Sequence, residues 1–419
     1  MLEKRRNNYL KISEKESISI FYSGHAKHKS NDQYFPFSVN RNFFYLTNIV
    51  QQDVILVIIN GKNKADSFLF IEKQDPIKAL WDGKTLTFEE ASDISGIKLE
   101  NIRDINTFKT FINQLLGFSR AAQFGVINNL YFDLDKQKYS DYLSLTEFNA
   151  NKFKKLYPAI NILNSNPLLT TLRMVKDKFE VEQTKKAIEI TNDALNHLLK
   201  TIKPGINEFE IEAEYNYILN KNNVIPSFDT IAAGGKNATI LHYVDNNQKI
   251  NDNELLLLDL GVDYNNYCSD ISRTYPVNGK FTVRQKQIYE IVLKANKETI
   301  KWLKPGRTIS EFNEFGKKIL TEGLKSIGLI KEDSEITKYY YHSLGHYLGL
   351  DIHDVGHYSE VIPEGAIITV EPGLYIAEEG IGIRIEDDIL ITKDGNINLS
   401  ESIIKEIDDI EAFMSKKNK

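Results

Sequence analysis

Four carboxylates in the C-terminal half of the chain stand where acids are expensive. Asp259 follows four leucines in LLLLDLGVDYNNYCSDISRTY, and Asp270 lies beyond Asn265-Asn266, a pair with turn chemistry. Glu371 follows Ile367, Ile368, Thr369 and Val370 in AIITVEPGLYI, and Glu386 lies in GIGIRIEDDILIT, across Glu378-Glu379-Gly380. Each stretch reads as a hairpin, the first running out through Leu255 to Leu260 and back through Tyr267 to Thr274. Asp259 and Asp270 are mirrored about residues 264–265, and Glu371 and Glu386 about 378–379. Each hairpin therefore brings two acids to cross-strand or diagonal distance, about 5–8 Å. On the last strand Gly382, Arg384, Glu386 and Asp388 share one face, and Ile381, Ile383 and Ile385 the other.

Carboxylates about 4 Å apart repel by roughly 4 kcal/mol per pair at an effective dielectric near 20. Burial makes that worse unless protons or cations intervene. Arg384 alone cannot neutralise four acids, whereas divalent cations can. Histidines lie close by in sequence: YYYHSLGHYLGLDIHDVGHY carries His342, His346, His353 and His357, and ATILHYVDN carries His242. Four carboxylates with one imidazole make an oxygen-rich, hard donor set. Such a set suits manganese, with iron, cobalt or zinc as alternatives. Carboxylates that bridge two ions hold them about 3.5–4 Å apart, where they can share a water.

The elements that must position these groups show a faint repeat. One long helix is expected from about Lys178 to Ile202, where Val181, Ile188, Ala194, Leu195, Leu198 and Leu199 recur with helical spacing. It ends at Lys203-Pro204-Gly205, and a second helix begins at once in NEFEIEAEYNYIL. Later another long helix ends at Lys304-Pro305-Gly306, followed by SEFNEFGKKIL. Each helix pair leads into a strand-rich region with a tight turn, which suggests a duplicated unit rather than a solenoid. Upstream, Val54 to Ile59 and Phe68 to Ile71 read as buried strands and Phe108 to Leu116 as a helix. The turn-rich Asn164 to Pro167 precedes a boundary near residue 170, separating domains 1–170 and 171–419.

Other candidate groups have simpler readings. His197 lies within a helical pattern and packs; His25 and His28 lie in a polar loop; His357 follows the histidine cluster but matches nothing firm. Cys268 shares the strand face of Asp270, where a small buried residue is the default. Gly234-Gly235 marks a turn and is too weak for a phosphate loop.

At 419 residues more than one domain is expected, and 42% hydrophobic with 26% charged residues is a globular profile. A formal charge of −6 argues against nucleic acid as a partner; Lys416, Lys417 and Lys419 read as a solvated terminus. The single cysteine allows no internal disulfide, which fits a reducing compartment. MLEKRRNNYLKISEKES has no apolar core of signal-peptide length, and no stretch approaches the roughly 18 apolar residues that span a bilayer. A cytoplasmic protein without a membrane partner is expected.

The segments around the acids and histidines resemble the metallopeptidase family with the pita-bread fold, which includes aminopeptidase P, prolidase and methionine aminopeptidase. The resemblance runs from about residue 173 onward, and HSLGHYLGLDIHD and GIGIRIEDD are close to the family's wording. It implies an α+β chain in which a smaller α/β N-terminal domain precedes a pita-bread (creatinase/aminopeptidase-like) domain of duplicated helix-helix-hairpin halves. It also implies two metal ions, manganese above all, held by Asp259, Asp270, His346, Glu371 and Glu386, none of which is substituted. NDQYFPFSVNRNFFYLTNI resembles the N-terminal domain of aminopeptidase P, although a residue intrudes between Tyr34 and Pro36 and Asn48 stands where glycine is common. WDGKTL, with Trp81, resembles a segment that in some members reaches a neighbouring subunit's active site, so a homo-oligomer, dimer or tetramer, is expected.

The resemblance implies hydrolysis of the bond between an N-terminal residue and a following proline. A hydroxide bridging the metals would attack, Glu371 would move the proton, and His353 and His242 would stabilise the carbonyl oxygen. His342 and Arg384, with Tyr375 nearby, would hold the prolyl part of the peptide. The alternative within the family is an Xaa-Pro dipeptidase. Pita-bread proteins that only bind peptides, and creatinase-like hydrolases, lose ligand positions that this chain keeps.

Overall fold

The computed structural model describes residues 1–117, 119–136 and 143–416, which leaves Lys417 and Lys419 outside the described residues. The chain divides into two compact units, Met1–Arg173 and Met174–Lys419.

The first unit is built on one mixed sheet of six strands, in the spatial order Ile102–Asp104, Ala65–Ile71, Ile55–Asn60, Ser17–Tyr22, Asn129–Phe132 and Asn161–Asn164. The strand Ile55–Asn60 is buried on both faces, which is why it reads as an unbroken apolar run. Its hairpin partner starts at Ala65, earlier than its apolar residues alone indicate, because Ala65, Asp66 and Ser67 pair along the more open end. The helix Phe108–Leu116 buries Phe108, Phe111, Ile112, Leu115 and Leu116, the spacing of one face. The helix Asn166–Arg173 packs on Leu2–Ile12 and belongs to this unit.

The second unit carries the duplication. Its first long helix, Lys178–Thr201, opens on an Asp177/Glu180 capping box and buries Ala187, Ile188, Thr191, Ala194, Leu195, Leu198 and Leu199 along one stripe. Lys203 precedes a proline and cannot easily continue the helix, and Gly205 turns the chain at φ +88°. The next helix is Glu208–Lys221. In the second half the same parts are Val283–Trp302, Gly306 at φ +83° and Ile309–Ser326. The two turns are tied down alike: Gly205 N–H donates to Ile250 O and Ile250 N–H to Ile206 O, while Gly306 N–H donates to Ile362 O and Ile362 N–H to Arg307 O. Equivalent bonds at equivalent positions are the structural form of the repeat.

Each half then delivers a hairpin. In the first, Leu255–Leu260 pairs with Ile271–Pro276, and Val262–Tyr264 with Tyr267–Cys268, around Asn265 and Asn266 at φ 52° and 67°. Positive φ at both central residues is the primed turn that matches strand twist. The register sets Asp259 opposite Ser272, so Asp259 and Asp270 are diagonal neighbours rather than a facing pair. In the second, Ile367–Val370 pairs with Asp387–Thr392, and Gly373–Ile376 with Ile381–Arg384. The register is the same on both sides of a break at Glu371-Pro372 and Ile385-Glu386. Pro372 has no N–H to give the ladder, and its carbonyl accepts from Ile385. Both glutamates sit in this break, where the strands are freest to turn side chains aside.

The hairpins meet edge to edge: Glu386 N–H donates to Ser272 O and Arg384 N–H to Thr274 Oγ1. Arg273, fully buried, clamps the junction by donating to Ser272 O, Glu386 O and Asp387 Oδ1. A large apolar cluster drawn from all four helices and both hairpins lies behind it.

Candidate metal centre

The acids of both hairpins converge on one cavity of about 740 Å³, whose wall includes Asp259, Asp270, Glu371 and Glu386 together with His242, His342, His346, His353 and Arg384. Ligand atoms of Asp270, His346 and Glu386 all lie within 4.8 Å of one another. A cation with bonds of about 2–2.5 Å spans donors at such separations. His346 Nε2 is 3.4 Å from Asp270 Oδ2 and 3.6 Å from Glu371 Oε1. Its other nitrogen, Nδ1, lies 3.0 Å from the carbonyl of Tyr347, an acceptor only, so Nδ1 carries the proton and Nε2 presents its lone pair to the acids. Thr369 Oγ1 accepts the His346 N–H and fixes the backbone beneath the ring.

Asp259 is held differently. Its Oδ2 accepts from Arg384 Nη2 at 2.5 Å, while its Oδ1 is buried with no hydrogen-bond partner among the described residues. Ser272 joins the groups: its hydroxyl donates to Glu386 Oε2 at 2.7 Å and accepts from Arg384 Nε at 2.7 Å. Beyond Glu386, Asp388 accepts the Asp270 N–H with Oδ2 and leaves Oδ1 buried without a partner among the described residues.

The electrostatics are those of crowded acids. Burial, then Asp259, Asp388 and Glu371, pushes Asp270 well above the ordinary carboxyl range. Burial, then Asp270, Glu371 and Asp259, does the same to Glu386. Glu371 rises to about 7, chiefly through burial, against the pull of His346 and Arg384. An unpartnered buried carboxylate oxygen, raised acids and an imidazole nitrogen aimed among them are what a divalent cation would relieve. The residues fit such a group by charge and donor chemistry.

The remaining histidines differ in setting. Burial lowers His342 and His353 to about 4, so both are neutral near pH 7. The rings of His346 and His353 are 4.1 Å apart between centroids. His342 Nδ1 donates to Ser343 O, which leaves Nε2 to accept from Tyr375 Oη at 2.9 Å. That hydroxyl in turn accepts from Arg384 Nη1. Tyr375 is 2% exposed and stands behind the cavity wall, touching its residues rather than the cavity itself. His242 and His353 both line the cavity. Cys268 is buried and packs with Val181, Leu348 and Ile367; His197 pairs with Glu214 on a helix surface away from the cavity.

Sequence reasoning missed Ser272, which stands opposite Asp259 and would follow from the correct register. It also missed Glu208, a fully buried carboxylate at a helix start. Glu208 Oε1 accepts from Gly234 N–H and Asn237 Nδ2, and Oε2 from Tyr243 Oη and Gln248 N–H. Four bonds to one carboxylate hold the loop that carries His242. Nothing local in sequence marks this role.

Comparison with known proteins places these residues in context. Residues 182–393 match the model of metallopeptidase family M24, and residues 2–123 that of the aminopeptidase P N-terminal domain. The chain belongs to metallopeptidase family M24. An Xaa-Pro aminopeptidase of Haemophilus influenzae is 34% identical over 435 residues, covering 99% of this chain and 96% of that protein. One from Escherichia coli is 31% identical, covering 98% and 97%. A Bacillus anthracis structure proposed to be an aminopeptidase P superposes with a TM-score of 0.96 at 44% identity, covering 99% of this chain and 98% of that one. Escherichia coli aminopeptidase P with the inhibitor Pro-Leu gives 0.89 at 31%, covering 100% and 98%. As an M24 member the chain is a metal-dependent peptide hydrolase, with a pita-bread domain behind an aminopeptidase P-type N-terminal domain. No helix among its described residues is long and apolar enough to cross a membrane.

Proposed function

We propose that this M24 peptidase is an Xaa-Pro aminopeptidase, releasing the first residue of peptides whose second residue is proline. Two divalent cations, best suited to manganese, would be held by Asp259, Asp270, His346, Glu371 and Glu386. The observation that carries this reading is the meeting of buried acids from both hairpins with the free Nε2 of His346 in one cavity. Relatives named Xaa-Pro aminopeptidase, matched along nearly the whole chain, support the proline specificity.

When bound, the cations would supply Lewis acidity, polarising the scissile carbonyl and making a shared water reactive near neutral pH. Glu371, on the cavity wall with Oε1 3.6 Å from His346 Nε2, is placed to accept a proton and return it to the leaving nitrogen. His353, neutral near pH 7, would present a donor to the developing negative charge on the carbonyl oxygen, with His242 beside it on the wall. His342 and Arg384 would hold the prolyl part. Proline's tertiary amide has no N–H, so that wall need supply no acceptor for it. Tyr375 acts through both, its hydroxyl fixing their orientation.

A cytoplasmic homo-oligomer, dimer or tetramer, completes the proposal. In the first unit the helix Pro76–Asp82 buries none of its residues, and Trp81 is 85% exposed beside Leu80 at 84%. Apolar surface of that kind is ordinarily covered by a partner.

The deciding experiment compares substrates on manganese-loaded protein. Cleavage of Xaa-Pro-Xaa tripeptides with release of the first residue is expected. Cleavage of Xaa-Pro dipeptides with tripeptides left intact would make the protein a dipeptidase instead.

A further inference from the structure

His353 has no regular structure to hold it. Residues 351–357 form neither helix nor strand, yet Ile352, His353 and Tyr358 line the cavity. Asp354 faces the other way. Its carboxylate lies 2.9 Å from Lys176 Nζ, and both side chains are only 1% exposed. Lys176 lies two residues into the second unit and directly before Asp177, the N-cap of the helix Lys178–Thr201. Its own N–H donates to Gly365 O. The lysine is therefore anchored at its backbone as well as at its ammonium.

The surroundings are built around this pair. Asp354 N–H donates to Tyr347 O, and Gly349 N–H to Asp351 O, folding the loop back on itself. A Cβ on Gly349 would run into Asp354 Oδ2 and come within 2.9 Å of Lys176 Cε, so only glycine fits there. A Cβ on Gly356 would strike the Tyr347 ring. Removing one charge breaks a buried ion pair and is costly, whereas replacing both by apolar side chains of similar volume is often tolerated. What the apolar pair cannot supply is direction. A charged hydrogen bond fixes where the loop backbone sits, and a displacement of about 1 Å in a reacting group can cost two orders of magnitude in rate.

We infer that Lys176 is a positioning residue for catalysis: through its buried bond to Asp354 it holds His353 at the cavity, tying the segment that enters the second unit to the group that meets the carbonyl oxygen. The inference rests on the proposed role of His353.

The test is a cycle on the manganese-loaded full chain with an Xaa-Pro-Xaa peptide. The paired variant Lys176→Met/Asp354→Leu is made in three backgrounds: unchanged, His353→Ala and His242→Ala. In the unchanged background kcat should fall about tenfold with KM held, and residues 351–357 should exchange amide hydrogens faster. In the His353→Ala background the pair should cause no further fall in kcat; in His242→Ala it should cause the full one. Lys176→Arg should retain most of the rate. An equal fall in all three backgrounds, or no fall at all, overturns the inference. If the apolar pair does not fold, Lys176→Gln/Asp354→Asn in the same backgrounds gives the same comparison. An unchanged protein that leaves Xaa-Pro-Xaa peptides intact overturns the functional reading itself, and shows before any substitution is made.

Discussion

Arg384 places Nη2 2.5 Å from Asp259 Oδ2, committing the guanidinium on the cavity wall to one acid of the four. Asp270 and Glu386 lie deeper, with burial first and then the charges of neighbouring acids pushing both carboxyls up. The fold thus neutralises one of these acids by itself and leaves the others to protons or metal.

The consequence for stability has a definite sign. In the cation-free protein Glu371 is raised from 4.5 to about 7, and Asp270 and Glu386 shift the same way. Between those values the native chain holds protons that the unfolded chain has released, so stability falls as pH rises through the window. Bound cations remove that loss. The gap in melting temperature between manganese-loaded and chelated protein should therefore widen from about pH 5 to about pH 8. Thermal unfolding at the two pH values checks this; a gap larger at the acid end contradicts it.

Glu371→Ala should lower kcat by about a hundred- to ten-thousand-fold. Circular dichroism should show the fold retained, since Glu371 lies in the break between two paired strand segments. Near-normal turnover would remove Glu371 from the proton's path.

Tyr375→Phe should act on both neighbours of its hydroxyl. Arg384 Nη1 loses an acceptor and His342 Nε2 a donor, at a hydroxyl whose residue is only 2% exposed. A loss of about 1–3 kcal/mol in unfolding free energy is expected, with KM for the peptide raised more than kcat is lowered. Steady-state kinetics and denaturant unfolding measure the two effects separately. A fall confined to kcat would instead place Tyr375 in the chemical step.

Glu208→Gln turns an acceptor of four bonds into a group that presents its own donors to donors. Stability should fall by about 1–3 kcal/mol, and amides of residues 235–248 should exchange faster. Unchanged exchange there would mean that the His242 loop is held by something else.

How far the sequence carried depends on whether the signal was local. The helix Lys178–Thr201 was legible because its apolar period and its cap are both local. The glutamates' mirror axis coincided with the true register of the second hairpin. In the first hairpin the turn lies one residue further on, at Asn265 and Asn266, so the acids are diagonal and Ser272 went unseen opposite Asp259. Pro372 signalled the strand break, since it cannot join a ladder, but the run of isoleucines obscured it. Lys176 and Asp354 are 178 residues apart and Glu208 and Tyr243 are 35 apart. Such pairs exist only once the chain is folded, and neither residue's neighbours in sequence reveal its partner.

A pocket of crowded like charges should require bound cations in order to work. This requirement is tested most directly by titrating metal-stripped protein with manganese while following both bound metal and cleavage of an Xaa-Pro-Xaa peptide. Two ions per chain are predicted, with activity absent before the first addition and rising as the sites fill. Full-speed cleavage by the stripped protein, or manganese that fails to bind at Asp259, Asp270, His346, Glu371 and Glu386, would contradict the account.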